Sequence, residues 1–272
     1  MLRDLIKPSY RLYREKTSFC RKRPDFLIIG AQKAGSTSLY DYVIQHPEVA
    51  PALTKEVHYF TKHHYLGGSW YKSNFPYSFS RRFCGEATPF YLYHPLAAER
   101  IYKFNPEIKL IAVLRNPIYR AVSHYFHAFR HGFETRSIED AFVNEVDESL
   151  EFEKRIDGLV GIEAHRYQEL SYISRGFYAK QLDRYDEIFG RDRLLILRSE
   201  DFFSDPVNSL KKVFSFIGLE RSFVPDSLEA KNVGKYSLKN TEHNIAKVIE
   251  HLEEIYKEPN LALKSKYGIC FD

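Results

Sequence analysis

One feature constrains the fold of this chain more than any other. It is a short apolar run that ends in glycine and is followed by a turn and an amphipathic helix. The run covers residues 26–29 and ends at Gly30, which is typical of a fully buried strand. The turn covers residues 30–37 and carries two glycines. The apolar residues after the turn recur at helical spacing, namely Leu39, Tyr40, Val43 and Ile44. This order predicts a strand, a phosphate-type loop and a helix.

Other apolar runs and helical patterns alternate along the rest of the chain. Residues 109–114 and 193–197 are two further candidates for buried strands. Helical patterns cover residues 118–130, 177–189, 206–218 and 241–256. Strands that alternate with helices, without an internal repeat, favour a mostly parallel sheet. We therefore predict an α/β fold, a three-layer P-loop-like domain whose mostly parallel central sheet is flanked by helices.

The length of 272 residues allows one large domain. We expect a solvated N-terminal arm over residues 1–24 and a single domain over residues 25–272, with a helix at a membrane surface as the alternative for the arm. Residues 47–85 are rich in aromatic and turn-forming residues, and we expect an insertion that builds a substrate wall. Aromatic side chains such as Tyr65 and Trp70 would suit stacking against a sugar, phenolic or lipid-like ligand, but they would equally suit a core.

Charge and cysteine content exclude several classes of protein. The net charge of +4 suits anionic ligands but falls far short of a nucleic-acid-binding protein, so we expect no nucleic acid partner. Cys20, Cys84 and Cys270 form no CxxC pair, which favours neither a disulfide framework nor a zinc site and indicates a reducing compartment, the cytoplasm. No apolar run reaches the about 18–20 residues of a membrane span. The first 25 residues also lack the apolar core of a signal peptide, so we expect no membrane anchor.

The turn at residues 30–37 differs from a Walker A loop in the position of its lysine. In both loops two glycines let backbone N–H groups converge on a phosphate at a helix N-terminus. A Walker A loop has Lys and then Ser or Thr directly after the second glycine, whereas here Ser36 follows Gly35 and the lysine is Lys33. The candidate for the neighbouring strand ends in Arg115 rather than in an acid that would help to hold Mg²⁺. We therefore expect cationic side chains, with no metal, to bind phosphate; a plain helix-start turn is the alternative.

A second anion-binding pair follows the strand candidate at residues 109–114. Arg115 comes directly after it, and Ser123 lies eight residues later, about two turns into the next helix. One phosphate could be held by the guanidinium and the hydroxyl together. Taken alone, the pair is better explained as a surface arginine and an incidental helix serine. His124 is expected to be a helix residue near the cleft rather than a catalyst.

Together these motifs resemble those of the PAPS-dependent sulfotransferase superfamily (PAPS is 3′-phosphoadenosine 5′-phosphosulfate), in particular its heparan-sulfate-type branch and bacterial relatives. The family's 5′-phosphosulfate loop resembles residues 29–39, and its 3′-phosphate segment resembles residues 113–125. The similarity extends through residues 55–60, 85–91, 176–182, 195–219 and 231–236. The resemblance implies an enzyme that transfers a sulfuryl group from PAPS to a hydroxyl of a small-molecule or carbohydrate acceptor, releasing PAP without a metal.

The resemblance also implies roles in binding the donor. Lys33 would neutralise the charge that develops on the bridging oxygen and the leaving phosphate. The 5′-phosphate would be held by backbone N–H groups and hydroxyls of Ala34, Gly35, Ser36, Thr37 and Ser38. Arg115 and Ser123 would bind the 3′-phosphate.

On the acceptor side, the resemblance implies that Glu56 is the general base. His58 lies two residues on and would point the same way if the stretch is extended, so it is an alternative base or a residue that orients the acceptor. Without the resemblance, this stretch would be interpreted as a solvated charged loop. The implied substrate-binding residues are Glu86, Thr88 and Tyr91. The residues of a loop expected to close over the 3′-phosphate are Lys231, Gly234 and Lys235, with a solvated basic turn as the alternative.

Two features depart from the family's pattern. Heparan-type enzymes carry a lysine after the glutamate of the stretch at residues 85–91, whereas this chain has Ala87. The resemblance therefore supplies no second catalytic lysine, and the acceptor stays open. The C-terminal cysteine pair of the Golgi enzymes is also missing, as we expect for a cytoplasmic protein.

Two other functions fit parts of the sequence. One is a P-loop small-molecule kinase that uses ATP and Mg²⁺; the displaced Lys33 and the strand end at Arg115 argue against it. The other is a catalytically silent module that binds a nucleotide or a glycan on the same scaffold. The presence of Lys33 and Glu56 together with both phosphate-binding motifs argues against that function.

Overall fold

The computed structural model describes residues 8–80, 82–159, 161–229 and 242–271. These residues form two compact units. The first unit includes residues 8–31, 35–113 and 184–229, and the second includes residues 32–34, 114–183 and 242–271. A single domain over residues 25–272 stays a prediction.

The first unit is built on a five-stranded sheet. Its strands are β1 (Phe26–Gly30), β2 (Val49–Pro51), β3 (Phe83–Ala87), β4 (Lys109–Leu114) and β5 (Leu194–Arg198). Their order across the sheet is β2-β3-β1-β4-β5. β1 pairs in parallel with β3 and with β4, and β2 pairs in parallel with β3. The strand that ends before Arg115 is therefore a neighbour of β1, as predicted.

β1 and β4 are buried along almost their whole length, which explains their continuous apolar sequences. β2 and most of β3 lie within residues 47–85, so this stretch supplies strands of the sheet and is more than the expected insertion. The sequence of β3 hides this role because it is not an apolar run. A Cβ at Gly85 would lie 2.5 Å from the carbonyl oxygen of Phe26, so only glycine fits there, and the next residue is the buried Glu86.

The helices connect and cover these strands. In chain order the α-helices are α1 (Pro8–Lys16), α2 (Ser36–Val43), α3 (Gly67–Lys72), α4 (Phe90–Tyr93), α5 (Ala97–Phe104), α6 (Pro117–Arg130), α7 (Ile138–Phe142), α8 (Glu145–Lys154), α9 (Gly161–Glu169), α10 (Tyr178–Phe189), α11 (Ser199–Ser204), α12 (Pro206–Ile217) and α13 (Glu242–Tyr267). Short 3₁₀ turns cover Ser18–Cys20, His64–Leu66, Ile156–Gly158, Ser174–Gly176 and Arg191–Arg193. In the first unit α2 and α4 contact β1, while α11 and α12 contact β5. The α/β fold with a parallel central sheet and flanking helices is confirmed.

Helix ends follow the local signals of the sequence. The side chain of Asn116 caps α6, and Asp205 caps α12 by accepting a hydrogen bond from the N–H of Asn208 at 3.1 Å. Both helices have proline in their first turn, where no amide partner is lost. Gly218 ends α12 in the left-handed conformation.

The N-terminal arm is exposed along α1 but contacts the rest of the first unit through two arginine side chains. The guanidinium of Arg14 donates to the carbonyl oxygens of Ser73 and Phe75 at 2.6 and 2.8 Å. Arg21 donates to the carbonyl oxygen of Phe75 at 3.0 Å. These charge-assisted bonds tie the arm to the first unit, although α1 has no fully buried residue.

The second unit is helical around an aromatic core. Buried members of that core include Tyr125, Phe142, Tyr172, Leu252 and Tyr256. α13 contacts α6 and α7 and continues through Pro259 to Tyr267, past the predicted end at residue 256. The extension is held because Leu263 is buried and the Tyr267 hydroxyl donates to Oδ1 of Asp183 at 2.8 Å.

The described part of the chain has neither a membrane-spanning helix nor a cluster of metal ligands. None of its helices is both long enough and apolar enough to cross a membrane. Within the same ranges, no three His, Cys, Asp or Glu side chains are grouped so that they could hold a metal ion. Cys20, Cys84 and Cys270 are free thiols.

Candidate active site

The phosphate-type loop leaves the carboxyl end of β1. Gly30 has no room for a side chain, because a Cβ there would lie 2.6 Å from the Cβ of Leu92. The N–H of Ala31 donates to the carbonyl oxygen of Val113 at 2.6 Å, which ties the start of the loop to the end of β4. This edge is where parallel α/β sheets bind their ligands.

The loop leads into α2 through Gly35. Gly35 has a φ of 103°, a conformation that favours glycine, and it supplies no side chain to cap the helix. The first N–H groups of α2 thus receive no side-chain acceptor from the N-cap, an arrangement that suits a bound anion. Thr37 is half-buried, whereas Ser36 and Ser38 are buried, and Ser38 is hydrogen-bonded to the side chain of Tyr42. The individual phosphate contacts of the loop stay predictions.

The second unit concentrates positive charge around Lys33. Nη1 of Arg115 donates to the carbonyl oxygen of Lys33 at 3.3 Å. Burial, and then the charges of Arg130 and Arg115, lower the pKa of Lys33 to about 8. The backbone of Lys33 has a φ of 67°, which is uncommon for a residue other than glycine. Ala34, next in the loop, is buried. An anionic ligand would relieve the repulsion among these cations.

Arg115 and Ser123 are placed by the start of α6. Arg115 precedes the N-cap of this helix, and the Tyr178 hydroxyl donates to the Arg115 carbonyl oxygen at 2.9 Å. Ser123 lies within the helix and is buried. Their joint hold on one phosphate stays a prediction.

His124 is packed as a neutral helix residue. Its side chain is buried, and its ring meets that of Tyr172 edge to face with centroids 4.9 Å apart. Burial, followed by the charges of Arg175 and Arg120, holds the pKa of His124 well below its usual value. These features suit the expectation that His124 is a helix residue rather than a catalyst.

The sequence did not single out the contact between Arg175 and Gln32. The guanidinium of Arg175 donates to Oε1 of Gln32, inside the loop, and to the carbonyl oxygen of Gln168. Arg175 is buried, so this contact fixes Gln32 within the second unit. Its one signal in the sequence is its position directly before the family-like stretch at residues 176–182.

Glu56 and His58 come together in the first unit. Nε2 of His58 lies 3.6 Å from Oε2 of Glu56, and Nζ of Lys55 lies 2.7 Å from Oε1. Burial raises the pKa of Glu56, but the contacts with His58 and Lys55 outweigh it and lower this pKa to about 2. The Glu56 side chain keeps 43% of its exposure. It is therefore an ionised carboxylate that solvent can reach.

The backbone at Glu56 and His58 is not extended. An extended backbone was the condition under which their side chains were expected to point the same way. Glu56 has a φ of 58° and His58 a φ of 55°, both in the left-handed region that residues with a Cβ rarely adopt. The two side chains nevertheless meet. A base at Glu56 or at His58 stays a prediction.

The three predicted substrate-binding residues lie in one buried cluster. Glu86, Thr88 and Tyr91 have no exposed surface. The Thr88 hydroxyl donates to Oε2 of Glu86 at 2.6 Å, and the Tyr91 hydroxyl donates to Oε1 at 2.7 Å. These polar atoms bind one another instead of facing an acceptor, and their direct contact with substrate stays a prediction.

Four aromatic residues in the stretch at residues 47–85, namely Tyr59, Phe60, Tyr71 and Phe75, are buried. Tyr59 stacks on Tyr71 with ring centroids 4.5 Å apart, and Phe60 meets Tyr71 edge to face at 4.9 Å. All three are buried, so the core interpretation is correct for them. Tyr65 is 80% exposed, and Trp70 is half-buried.

The sequence also predicts a loop that closes over the 3′-phosphate. Its residues are Lys231, Gly234 and Lys235, which lie outside the described residues. Their role stays a prediction.

The family model of the sulfotransferase domain matches residues 23–260. This chain belongs to the sulfotransferase family. The match includes both phosphate-type motifs and the Glu56 segment, so the resemblance inferred from the sequence is confirmed.

Relatives of this chain include enzymes named for heparan sulfate. Heparan sulfate glucosamine 3-O-sulfotransferase 3B1 of Mus musculus is 31% identical over 201 residues, 74% of this chain and 47% of the relative. Heparan sulfate glucosamine 3-O-sulfotransferase 6 of Homo sapiens is 30% identical over 215 residues, 74% of this chain and 54% of the relative. Membrane-associated sulfotransferase kil1 of Dictyostelium discoideum is 38% identical over 105 residues, 38% of this chain and 22% of the relative. The chain spans about half the length of the heparan sulfate relatives it matches.

A solved structure matches over nearly the whole chain. The crystal structure of a sulfotransferase from Alicyclobacillus acidocaldarius has a TM-score of 0.72 and 28% sequence identity to this chain. The match covers 92% of this chain and 98% of that chain. It supports the P-loop-like α/β fold.

Proposed function

We propose that this sulfotransferase transfers the sulfuryl group of PAPS to an acceptor hydroxyl and releases PAP. The pairing of β1 with β4 carries the proposal, because it brings the starts of two phosphate-type segments to one edge of the sheet. The bond between Ala31 and Val113 lies at that edge. A donor with phosphate groups at its 5′ and 3′ positions needs two anionic subsites, whereas a simple ATP site does not.

The residues of the chain fit this donor. The first turn of α2, which has no side-chain cap, would bind the 5′-phosphate through its N–H groups. The loop residues assigned to this contact are Ala34, Gly35, Ser36, Thr37 and Ser38. Arg115 and Ser123 would bind the 3′-phosphate. PAPS supplies the sulfuryl group, and Lys33 would neutralise the charge on the phosphate oxygen that is released with PAP.

Glu56 is the proposed general base. Its low pKa keeps it ionised at neutral pH, so it can take the proton of the acceptor hydroxyl as that oxygen bonds sulfur. An acceptor that excludes water from Glu56 would raise its pKa and make it a stronger base. His58, in contact with it, would orient the acceptor or act as the alternative base.

We further propose a carbohydrate hydroxyl as the acceptor. The support is the heparan sulfate glucosamine in the names of the relatives. Because Ala87 stands where heparan-type enzymes carry a lysine, we propose an acceptor with less sulfate than heparan sulfate. We also propose a cytoplasmic location, supported by the three free cysteines.

Transfer of radiolabelled sulfate from PAPS to a panel of acceptors tests this function. The panel contains sulfated and desulfated heparan oligosaccharides, simple glucosaminides and phenols. We expect Lys33→Ala to lower kcat about 10²- to 10³-fold and Glu56→Gln to lower it about 10²- to 10⁴-fold. Lys103→Ala and Glu99→Gln are matched controls on an exposed pair of α5, and we expect both to keep the wild-type rate. Binding of PAP without transfer to any acceptor would instead indicate a silent module.

A further inference from the structure

Glu86 is a buried carboxylate whose four hydrogen-bond partners are all uncharged. Oε1 accepts from the hydroxyl groups of Tyr71 and Tyr91 at 3.0 and 2.7 Å. Oε2 accepts from the hydroxyl of Thr88 at 2.6 Å and from the backbone N–H of Val57 at 3.1 Å. The side chain has no exposed surface. In this structure an acceptor therefore cannot reach the Glu86 carboxylate, which binds neighbouring residues of the chain instead.

Three consecutive backbone amides, from Glu56 to His58, are held by the end of β3. The N–H of Glu56 donates to the carbonyl oxygen of Ala87 at 3.2 Å. The N–H of His58 donates to Oγ1 of Thr88 at 3.4 Å. The N–H of Val57, between them, donates to the carboxylate of Glu86. Thr88 links two of these contacts, because its hydroxyl also donates to Glu86.

The segment needs these bonds because its backbone is strained at two residues. Glu56 and His58 both have a positive φ, and residues other than glycine keep such a conformation only where the surrounding structure determines it. The contact of 3.6 Å between His58 Nε2 and Glu56 Oε2 depends on this backbone. Loss of the central bond would free the segment to relax and would separate the two side chains.

A carboxylate suits position 86 better than an apolar side chain, although its burial costs more free energy. Burial raises the pKa of Glu86 even with four hydrogen bonds, and an apolar residue would avoid that cost. Only a carboxylate can accept from all four donors at once. An apolar residue would leave the hydroxyls and the amide of Val57 without their acceptor.

We infer that Glu86 is a positioning residue that fixes the segment from Glu56 to His58, so that the Glu56 carboxylate meets both the acceptor hydroxyl and His58. This inference rests on the proposed function, in which Glu56 is the base. It gives Glu86 a role through the protein backbone, where the sequence predicted a direct contact with substrate.

Two substitutions at Glu86 separate positioning from charge. In Glu86→Gln the amide oxygen accepts from Val57 and Thr88 while the NH₂ group donates to the tyrosine oxygens, and we expect kcat to stay within about threefold of wild type. Glu86→Met has similar bulk but no acceptor, and we expect kcat to fall about 10²-fold, as is usual when a catalytic group is misplaced by about 1 Å. The Kd for PAP should not change in either variant.

Tyr71→Phe is the matched control for stability. It removes one donor from Oε1 of Glu86 but leaves both bonds of Oε2. We expect a lower Tm and a kcat within about twofold of wild type, measured per PAP-binding site at a temperature where every variant is folded. If Glu86→Met fails to bind PAP, Thr88→Val replaces it, with an expected loss in kcat of about tenfold.

The pH profile of kcat/KM, which reports the pKa of the free enzyme, is the readout that packing alone would not change. In the wild type the pKa of Glu56 is about 2, so ionisation of Glu56 should not lower kcat/KM between pH 7 and pH 4. In Glu86→Met the separation from His58 should return this pKa toward about 4.3, and kcat/KM should fall below about pH 5.

Two results would overturn the positioning role. One is a Glu86→Met enzyme with wild-type kcat and no acid limb; the other is a Tyr71→Phe enzyme that loses as much kcat as Glu86→Met. The proposed function fails separately, if the wild type transfers no sulfate or if Glu56→Gln is fully active. An inactive Glu56→Gln beside a fully active Glu86→Met would reject only the role of Glu86.

Discussion

Lys33 carries its positive charge at a cost, because it is buried with two arginine charges nearby. These effects lower its pKa to about 8, so the ammonium is partly deprotonated in weakly alkaline solution. A bound nucleotide phosphate would favour the ammonium and raise the pKa again. Binding of PAP above pH 8 should therefore take up a proton.

We predict that the affinity for PAP falls as the pH rises above about 8, by up to tenfold for each pH unit. Isothermal titration calorimetry between pH 7 and pH 9.5, in buffers of different ionisation enthalpy, measures both the affinity and the proton uptake. Lys33→Met should bind PAP more weakly and lose most of this pH dependence. An affinity in the wild type that does not change over this range would contradict the assignment of Lys33 to the phosphate site.

At the residue scale, the sequence predicts which residues have a functional role better than it predicts their backbone conformation and burial. The positions of Lys33 and Arg115 relative to the loop and the strand end can be inferred from spacing alone. The left-handed backbone at Glu56 cannot, because bonds to β3 impose it. The burial of Glu86 is equally hidden, since an acid in a sequence is more often exposed.

Arg115 lies directly before Asn116, the N-cap residue of α6. Oδ1 of Asn116 accepts from the N–H of Ile118 at 3.0 Å. Asn116→Ala should lower the free energy of unfolding by about 1 kcal/mol. It should also weaken PAP binding, because the start of α6, directly after residue 116, would be frayed and would hold Arg115 less firmly. Chemical denaturation and calorimetric titration with PAP measure the two effects.

A second helix cap gives the control for this prediction. The Ser137 side chain caps α7 by accepting from the N–H of Asp140 at 3.1 Å. Ser137→Ala should cost a similar free energy of unfolding and leave the Kd for PAP unchanged. If both variants weaken PAP binding equally, the effect reflects stability and not the placement of Arg115.

At the element scale, the sequence predicts those elements that have strong local signals. β1 and β4 are continuous apolar runs, and α6 and α12 begin with a capping residue and a proline. β3 was not predicted because Gly85 and Glu86 interrupt its apolar sequence. Close packing requires the glycine, and a buried hydrogen-bond network requires the glutamate. α13 continues past Pro259 because tertiary contacts of its last turns outweigh the local signal for a helix end.

At the scale of the whole molecule, the order of the two phosphate-type motifs predicted the family, and the match over residues 23–260 confirms it. The acceptor was not predictable, because aromatic residues that would suit a sugar surface pack largely as a core. The heparan sulfate relatives are about twice as long as the matched region. Their acceptor is for this reason a proposal for the present chain.

The donor is the central claim, and a thermal-shift titration at pH 7 tests it most directly. The protein is heated with PAP, with ATP and Mg²⁺ at the same concentration, or without ligand. At 100 times its Kd, PAP should stabilise the folded state by about 2.7 kcal/mol and raise the Tm by a few degrees, and ATP with Mg²⁺ should have a smaller effect. A rise in Tm with ATP and Mg²⁺ but not with PAP would contradict the account.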